Sequence, residues 1–294
     1  MLMRSKLFVP GSRPELFAKA AASAADSLSF DLEDAVAEER KDEARAQLAA
    51  FLRAPEAARG KTVVVRVNAL GTRHFQADMA AVVMPSVHLV NLPMVEDAET
   101  VRQAAQLLDT LDTAAGRAQP TGLLVNIETP KALRRAAELA TAHPRVAGLQ
   151  IGYADLLEPT GIDRRDEAAL AHIRVAVRLA AAEAGVAAYD GAFGGVNDPD
   201  GYRMECAAAR RHGFAGKSCI HPSQIAIANE AFMPTATEIA RARTILAAAE
   251  DAQAKGVGAY LVDGQMIDAP FLIRARAIVA LADAAERAQT NPDI

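Results

Sequence analysis

Three carboxylates fall within four residues of the stretch SFDLEDAV (29–36): Asp31, Glu33 and Asp34. Leu28, Phe30 and Leu32 alternate with Ser29, Asp31 and Glu33, the period of two that a β-strand requires, so the acids gather where an apolar strand ends. Like charges at this spacing repel, and burying any of them unpaired is costly. A cation, a basic partner or water must offset them. Other polar residues stand at comparable places. Arg66 and Asn68 close TVVVRVN (62–68), Glu128 closes GLLVNIE (122–128), and Asp155 follows VAGLQIG (146–152). Asp190 lies in VAAYDG (186–191) and His221 in GKSCIHP (216–222).

This mixture points to a particular chemistry. Hard carboxylate oxygens, with no cysteine and few histidines among them, favour Mg²⁺ over zinc. Mg²⁺ takes one or two protein carboxylates, keeps waters and shares its other positions with substrate. Glu128 and Asp155 are the candidates for direct bonds, leaving Glu33 and Asp34 to hold metal-bound water. Arg66 is placed to bind a substrate carboxylate or a developing oxyanion. His221, before Pro222, reads as support for the last strand end. Asp190 reads as either an orienting partner of Arg66 or a helix cap.

Such residues need a scaffold that brings strand ends together. Short runs dense in Val, Leu and Ile, including KLFVP (6–10), SLSFDL (27–32) and VHLVNLP (87–93), suit strands buried on both faces of a parallel sheet. Helical patterns separate them over about 14–25, 37–52, 97–115, 130–142, 166–184 and 200–212. Eight strand-then-helix units predict an α/β fold, a (β/α)8 TIM barrel, whose chemistry gathers at the C-terminal strand ends. A doubly wound open sheet is the rival, but no G-x-G-x-x-G follows the first strand, and VPGSRP is no phosphate loop. The barrel is expected over residues 1–232. Residues 233–294 hold two further helices and a Gly-rich hairpin or flap, GVGAYLVDGQMIDAP (256–270), expected to pack on the barrel or on a neighbouring subunit.

The 294 residues are 51% hydrophobic with a net charge of -5 and no Lys/Arg run, which argues against a nucleic-acid partner. The N-terminal apolar run is too short for a signal peptide, and no stretch approaches the roughly 18 apolar residues of a membrane span, so a cytoplasmic protein is expected. Cys206 and Cys219 are expected to pack as small apolar side chains rather than to pair.

In order along the chain, RSKLFVPGSRPELFAKAAASAAD, DLEDAV, VRVNA, IET, GYADL, GKSCIHPSQIAIANEAF and GQMIDAP resemble the citrate lyase beta-subunit-like family of the HpcH/HpaI aldolase superfamily. That family includes malyl-CoA and citramalyl-CoA lyases. The resemblance implies a barrel dependent on Mg²⁺ (with Mn²⁺ as a substitute) that makes or breaks the C–C bond between an acyl-CoA and a 2-oxo acid, in thioesters of malyl-, citramalyl- or citryl-CoA type. It implies Glu128 and Asp155 as metal ligands, Glu33 and Asp34 on metal waters, and Arg66 at the reacting carbonyl. It implies Arg4 and Lys19 at CoA phosphates, and Asp268 as an acid/base brought in from a neighbouring subunit of a homotrimer or homohexamer. One departure is Met94 in LPMVED, where many relatives carry lysine.

Other readings make different demands. A malyl-CoA-type thioesterase shares the metal and CoA sites and differs only in where water is admitted. A citryl-carrier-protein lyase subunit accepts the same pantetheine arm. A metal aldolase for free 2-oxo acids needs neither the N-terminal basic residues nor the 256–270 flap. A non-catalytic organic-acid binding barrel needs no complete set of Glu33, Asp34, Arg66, Glu128, Asp155 and Asp268.

Overall fold

The computed structural model describes residues 2–54, 56–254, 256 and 258–290. The chain divides into two compact units, Met3–Phe232 and Met233–Ile294.

The first unit is a closed barrel of eight parallel strands in chain order: β1 (Ser5–Pro10), β2 (Ser27–Asp31), β3 (Thr62–Arg66), β4 (Leu89–Leu92), β5 (Gly122–Ile127), β6 (Val146–Ile151), β7 (Ala187–Asp190) and β8 (Gly216–Cys219). β8 closes on β1 through Ser5–Lys217, Lys6–Ser218 and Leu7–Cys219. The eight expected strands are the eight observed. The helices are α1 (Phe17–Ala21), α2 (Lys41–Leu52), α3 (Phe75–Val82), α4 (Ala98–Ala114), α5 (Pro130–Arg134), α6 (Ala136–Ala140), α7 (Tyr153–Leu157), α8 (Glu167–Glu183), α9 (Pro199–Arg211) and α10 (Ser223–Ala231). Side-chain caps start several of them. Asp97, Thr129, Asp166 and Asp198 each accept a backbone N–H three residues on, which satisfies a donor with no partner inside the helix.

The strands are buried on both faces, but the two faces differ in chemistry. Leu7, Val9, Leu28, Phe30, Val63 and Val65 belong to the large apolar cluster beneath the helices. The alternate residues face the barrel interior, where the apolar cluster is small: Met3, Val64, Leu89, Leu124 and Tyr189. Around it lie buried polar groups, Lys6, Ser27, Ser29, Asp31, Asn91, Asn126, Gln150 and Ser218. The sequence suggests apolar strands because only the outward half of each strand has to match a helix face. Cys206 and Cys219 are buried thiols, with Cys219 Sγ 3.2 Å from the Tyr202 hydroxyl.

The second unit contains α11 (Ala236–Ala254), the hairpin β9 (Tyr260–Val262) to β10 (Gln265–Ile267), and α12 (Ala269–Thr290), around a core of Ala242, Ile245, Val262, Ile267 and Ala275. Asp263 and Gly264 link the two strands with φ of 49° and 76°. That is the two-residue turn whose positive φ values match strand twist, and Asp-Gly is its preferred pair. Among the described residues no helix is long and apolar enough to cross a membrane.

Candidate active site

Arg66 is the last residue of β3 and stands in register with Asp31, the last residue of β2. Both point inward at the C-terminal rim. The Arg66 guanidinium donates Nε to Asp31 Oδ1 at 2.8 Å and Nη2 to Asp31 Oδ2 at 2.6 Å, a two-pronged pair that fixes its plane. Nη1 lies 2.8 Å from Glu33 Oε2 and 3.2 Å from Asp34 Oδ2. Burial opposes the charge on Arg66, but the Asp31 hydrogen bonds and the three acids outweigh it and hold the group fully protonated. The Phe8 ring lies 5.6 Å from the guanidinium carbon.

The acids of the opening stretch therefore divide into roles. Asp31 is buried and also accepts the backbone N–H groups of Glu33 at 2.9 Å and Ala35 at 3.1 Å, which folds the chain back over the strand end. Sequence reasoning did not assign Asp31 a role. The signal was its inward phase, and only the β2–β3 register pairs it with Arg66. Glu33 and Asp34 are ion-paired with Arg66. Strand register thus places a fixed cation beside both of the acids expected to hold metal-bound water. Glu33 Oε2 has no hydrogen-bond partner despite the ion pair. Burial pushes the Glu33 carboxyl up to about 8, with Asp34 and Glu128 adding to the rise against the pull of Arg66. Lys41 clamps this segment from α2, donating Nζ to Leu32 O at 3.2 Å, Glu33 O at 2.9 Å and Asn68 Oδ1 at 2.6 Å.

Glu128 follows β5 and is 2% exposed. Its Oε1 accepts the Met94 backbone N–H at 2.6 Å and its Oε2 accepts Asn126 Nδ2 at 2.9 Å. Burial raises its pKa, and the nearby Asp155 carboxylate raises it further. Asp155 is exposed in the first turn of α7. Gly152, between β6 and α7, leaves room for Glu128. A Cβ there would stand 2.6 Å from Glu128 Cβ, so no other residue fits without displacing the carboxyl. Lys6, from β1, crosses the interior below this rim and donates its Nζ to Gln150 Oε1, with the Phe8 ring 4.6 Å away. Burial and Arg66 lower its pKa. Sequence reasoning missed Lys6, since a lysine in a strand gives no sign of facing inward until the barrel closes.

Among the described residues no group of three or more His, Cys, Asp or Glu side chains forms a metal cage. The donor set still fits Mg²⁺, which needs only one or two carboxylates and completes its shell with water and substrate. Two acids follow adjacent strands, and the Asp155 carboxylate raises the pKa of buried Glu128, which sits in a cradle cut to size by Gly152; a divalent cation would offset that charge.

Five other candidates lie elsewhere or act differently. Arg4 precedes β1, at the N-terminal end of the barrel, where Asp26 takes its Nε at 2.7 Å and Nη2 at 2.8 Å. This corrects its assignment to CoA phosphates, since the chemistry gathers at the opposite rim. Arg13, in the loop after β1, is the exposed basic residue on the correct side, with Glu15 as its ion-pair partner, and Lys19 is exposed on α1. Asp190 accepts from Lys217 at 2.6 Å, Tyr153 at 2.6 Å and Arg174 at 3.2 Å, so it neither orients Arg66 nor caps a helix. His221 Nδ1 meets Ser223 Oγ at 2.8 Å and accepts the Ser223 N–H at 3.3 Å, a local brace at the start of α10. Asp268 is exposed in the second unit, directly before α12.

Comparison with known proteins converges on one family. Residues 4–222 match the family model described as HpcH/HpaI aldolase/citrate lyase. The chain is 34% identical to the citrate lyase subunit beta of Leuconostoc mesenteroides subsp. cremoris, over 96% of this chain and 94% of that one. It is 37% identical to the (3S)-malyl-CoA thioesterase of Cereibacter sphaeroides, over 96% and 95%. Among solved structures, CitE from Mycobacterium tuberculosis in complex with magnesium, acetoacetate and coenzyme A superposes with a TM-score of 0.75 at 34% identity, covering 96% of this chain and 98% of that one.

Proposed function

Because the chain belongs to the HpcH/HpaI aldolase/citrate lyase family, we propose that it is a Mg²⁺-dependent carbon–carbon lyase. It cleaves or forms a 3-hydroxyacyl-CoA of malyl, citramalyl or citryl type from an acyl-CoA and a 2-oxo acid. The observation that carries this reading is the pairing of the Arg66 cluster with the Glu128–Asp155 acid pair on one barrel rim.

Glu128 and Asp155 hold the cation, which when bound polarises the oxygen on the carbon to be released and fixes its orientation. Arg66, locked by Asp31, presents a fixed positive charge to the negative charge that develops as the bond breaks. Because Asp31 has already set the guanidinium plane, the site does not reorganise during the step. Glu33, whose carboxyl burial pushes up against the pull of Arg66, and Asp34 are assigned to hold metal-bound water beside that guanidinium. Asp268 is assigned the acid/base role toward the substrate hydroxyl, from a neighbouring copy in a homotrimer or homohexamer that works in the cytoplasm. Arg13 and Lys19 supply positive charge for CoA phosphates.

A thioesterase is the second reading, favoured by the likeness to the malyl-CoA thioesterase. The two separate on incubation of pure protein with Mg²⁺ and malyl-, citramalyl- and citryl-CoA. The lyase releases a 2-oxo acid that a carbonyl reagent traps, and excess EDTA stops it. Activity that persists in EDTA removes the metal from the proposal.

A further inference from the structure

Met94 is one of two non-glycine residues with positive φ among those described, at 52°. The other, Asp263, sits in a hairpin turn that calls for it. Met94 sits in no such turn. Strained backbone of this kind persists where the surroundings hold it, and it concentrates at functional sites. What holds it here is the 2.6 Å hydrogen bond from its backbone N–H to Glu128 Oε1. The backbone at Met94 thus serves the metal-binding carboxylate, while its side chain stands 48% exposed on the rim.

The strand order gives that side chain a function. Arg66 ends β3, Met94 follows β4, and Glu128 follows β5, and these strands are consecutive neighbours. A substrate that spans Arg66 and Glu128 passes over the end of β4, where Met94 is the exposed side chain. Resting on the lyase reading above, we infer that Met94 is a specificity-determining residue: its thioether receives the substituent on the hydroxyl-bearing carbon of the substrate and selects hydrogen or a small alkyl group over a second carboxylate.

The chemistry of the rim supports this selection. A thioether is apolar and flexible, accepts a methyl group and donates no hydrogen bond. A carboxylate arriving there meets an apolar thioether in place of a counter-charge. The cations of this sector are already engaged: Arg66 with Asp31, Glu33 and Asp34, and Lys131 with Glu96 at 3.1 Å. Discrimination thus comes from a missing counter-charge and an apolar contact.

The test compares malyl-CoA (hydrogen), citramalyl-CoA (methyl) and citryl-CoA (carboxymethyl) on the wild type, Met94→Leu, Met94→Lys and Met94→Gly, with melting temperature as the fold control. The wild type and Met94→Leu should show kcat/KM for citryl-CoA at least about tenfold below that for citramalyl-CoA. Met94→Lys should move that ratio about tenfold or more toward citryl-CoA. Met94→Gly, for which φ of 52° is unstrained, should lose the discrimination without a fall in melting temperature. Calorimetric affinities for pyruvate and oxaloacetate in Mg²⁺ should shift in the same direction, and they read the selection even if no thioester is cleaved. Absence of turnover with all three thioesters overturns the lyase reading alone. A ratio that moves less than about threefold in folded Met94→Lys and Met94→Gly, by turnover and by binding, overturns the role of Met94.

Discussion

At the scale of single residues, Arg66 owes its geometry to Asp31. The two planar bonds of 2.6 and 2.8 Å fix a fork that lysine cannot reproduce. Arg66→Lys should therefore lower kcat by about 10²–10³ while changing KM much less, as expected of a donor used mainly in the transition state. Steady-state kinetics check this, and a near wild-type kcat removes Arg66 from the reaction. Glu128→Gln keeps the shape and loses the charge. Its Mg²⁺ affinity should fall by an order of magnitude or more with the fold intact, read by titration calorimetry and circular dichroism. Arg66, Glu33, Asp34 and Glu128 are legible in the sequence because alternation and strand ends locate them on one rim. Asp31, Lys6 and Lys41 are not, since their roles depend on which residue stands opposite in the next strand or which loop a helix overlies.

At the scale of elements, the eight strands are legible because each is a short apolar run between helical patterns. The polar inner face is not, since alternation marks two faces without saying which turns inward. Two loops carry the site. Lys41, reaching from α2 to the carbonyls of Leu32 and Glu33, holds the β2 loop, so Lys41→Met should lower kcat at least about tenfold with little change in melting temperature. An unchanged rate shows that the loop holds itself. Beneath the other rim sector, Asp190 is wholly buried against Lys217 and Arg174. Burial alone would raise its carboxyl, but these cations win and lower it from 3.8 to about 2. A depressed folded-state value stabilises the protein above the unfolded value. That stability, about 2 kcal/mol, should be lost progressively as pH falls from near 4 through about 2. Asp190→Asn should flatten this acid limb and cost about 3–5 kcal/mol at neutral pH, because Lys217 and Arg174 lose their shared anion. Urea unfolding at several pH values reads both effects.

At the scale of the whole molecule, the acid/base role proposed for Asp268 has its own test. The hairpin is legible from Asp263-Gly264, but a contact between copies is not, since one chain's sequence carries no pairing between copies. With a site completed by a neighbouring copy, mixing inactive Asp268→Asn with inactive Glu128→Gln and allowing subunit exchange should restore part of the activity. A site completed within one chain restores none. Beneath all of this lies the claim that the rim of Arg66, Glu128 and Asp155 breaks a carbon–carbon bond with Mg²⁺. The most direct measurement is product stoichiometry from one 3-hydroxyacyl-CoA with Mg²⁺, by chromatography of all CoA species and oxo acids. The account predicts one 2-oxo acid for each acyl-CoA formed, no free CoA, and nothing in EDTA. Free CoA in step with substrate loss, and no oxo acid, would contradict it.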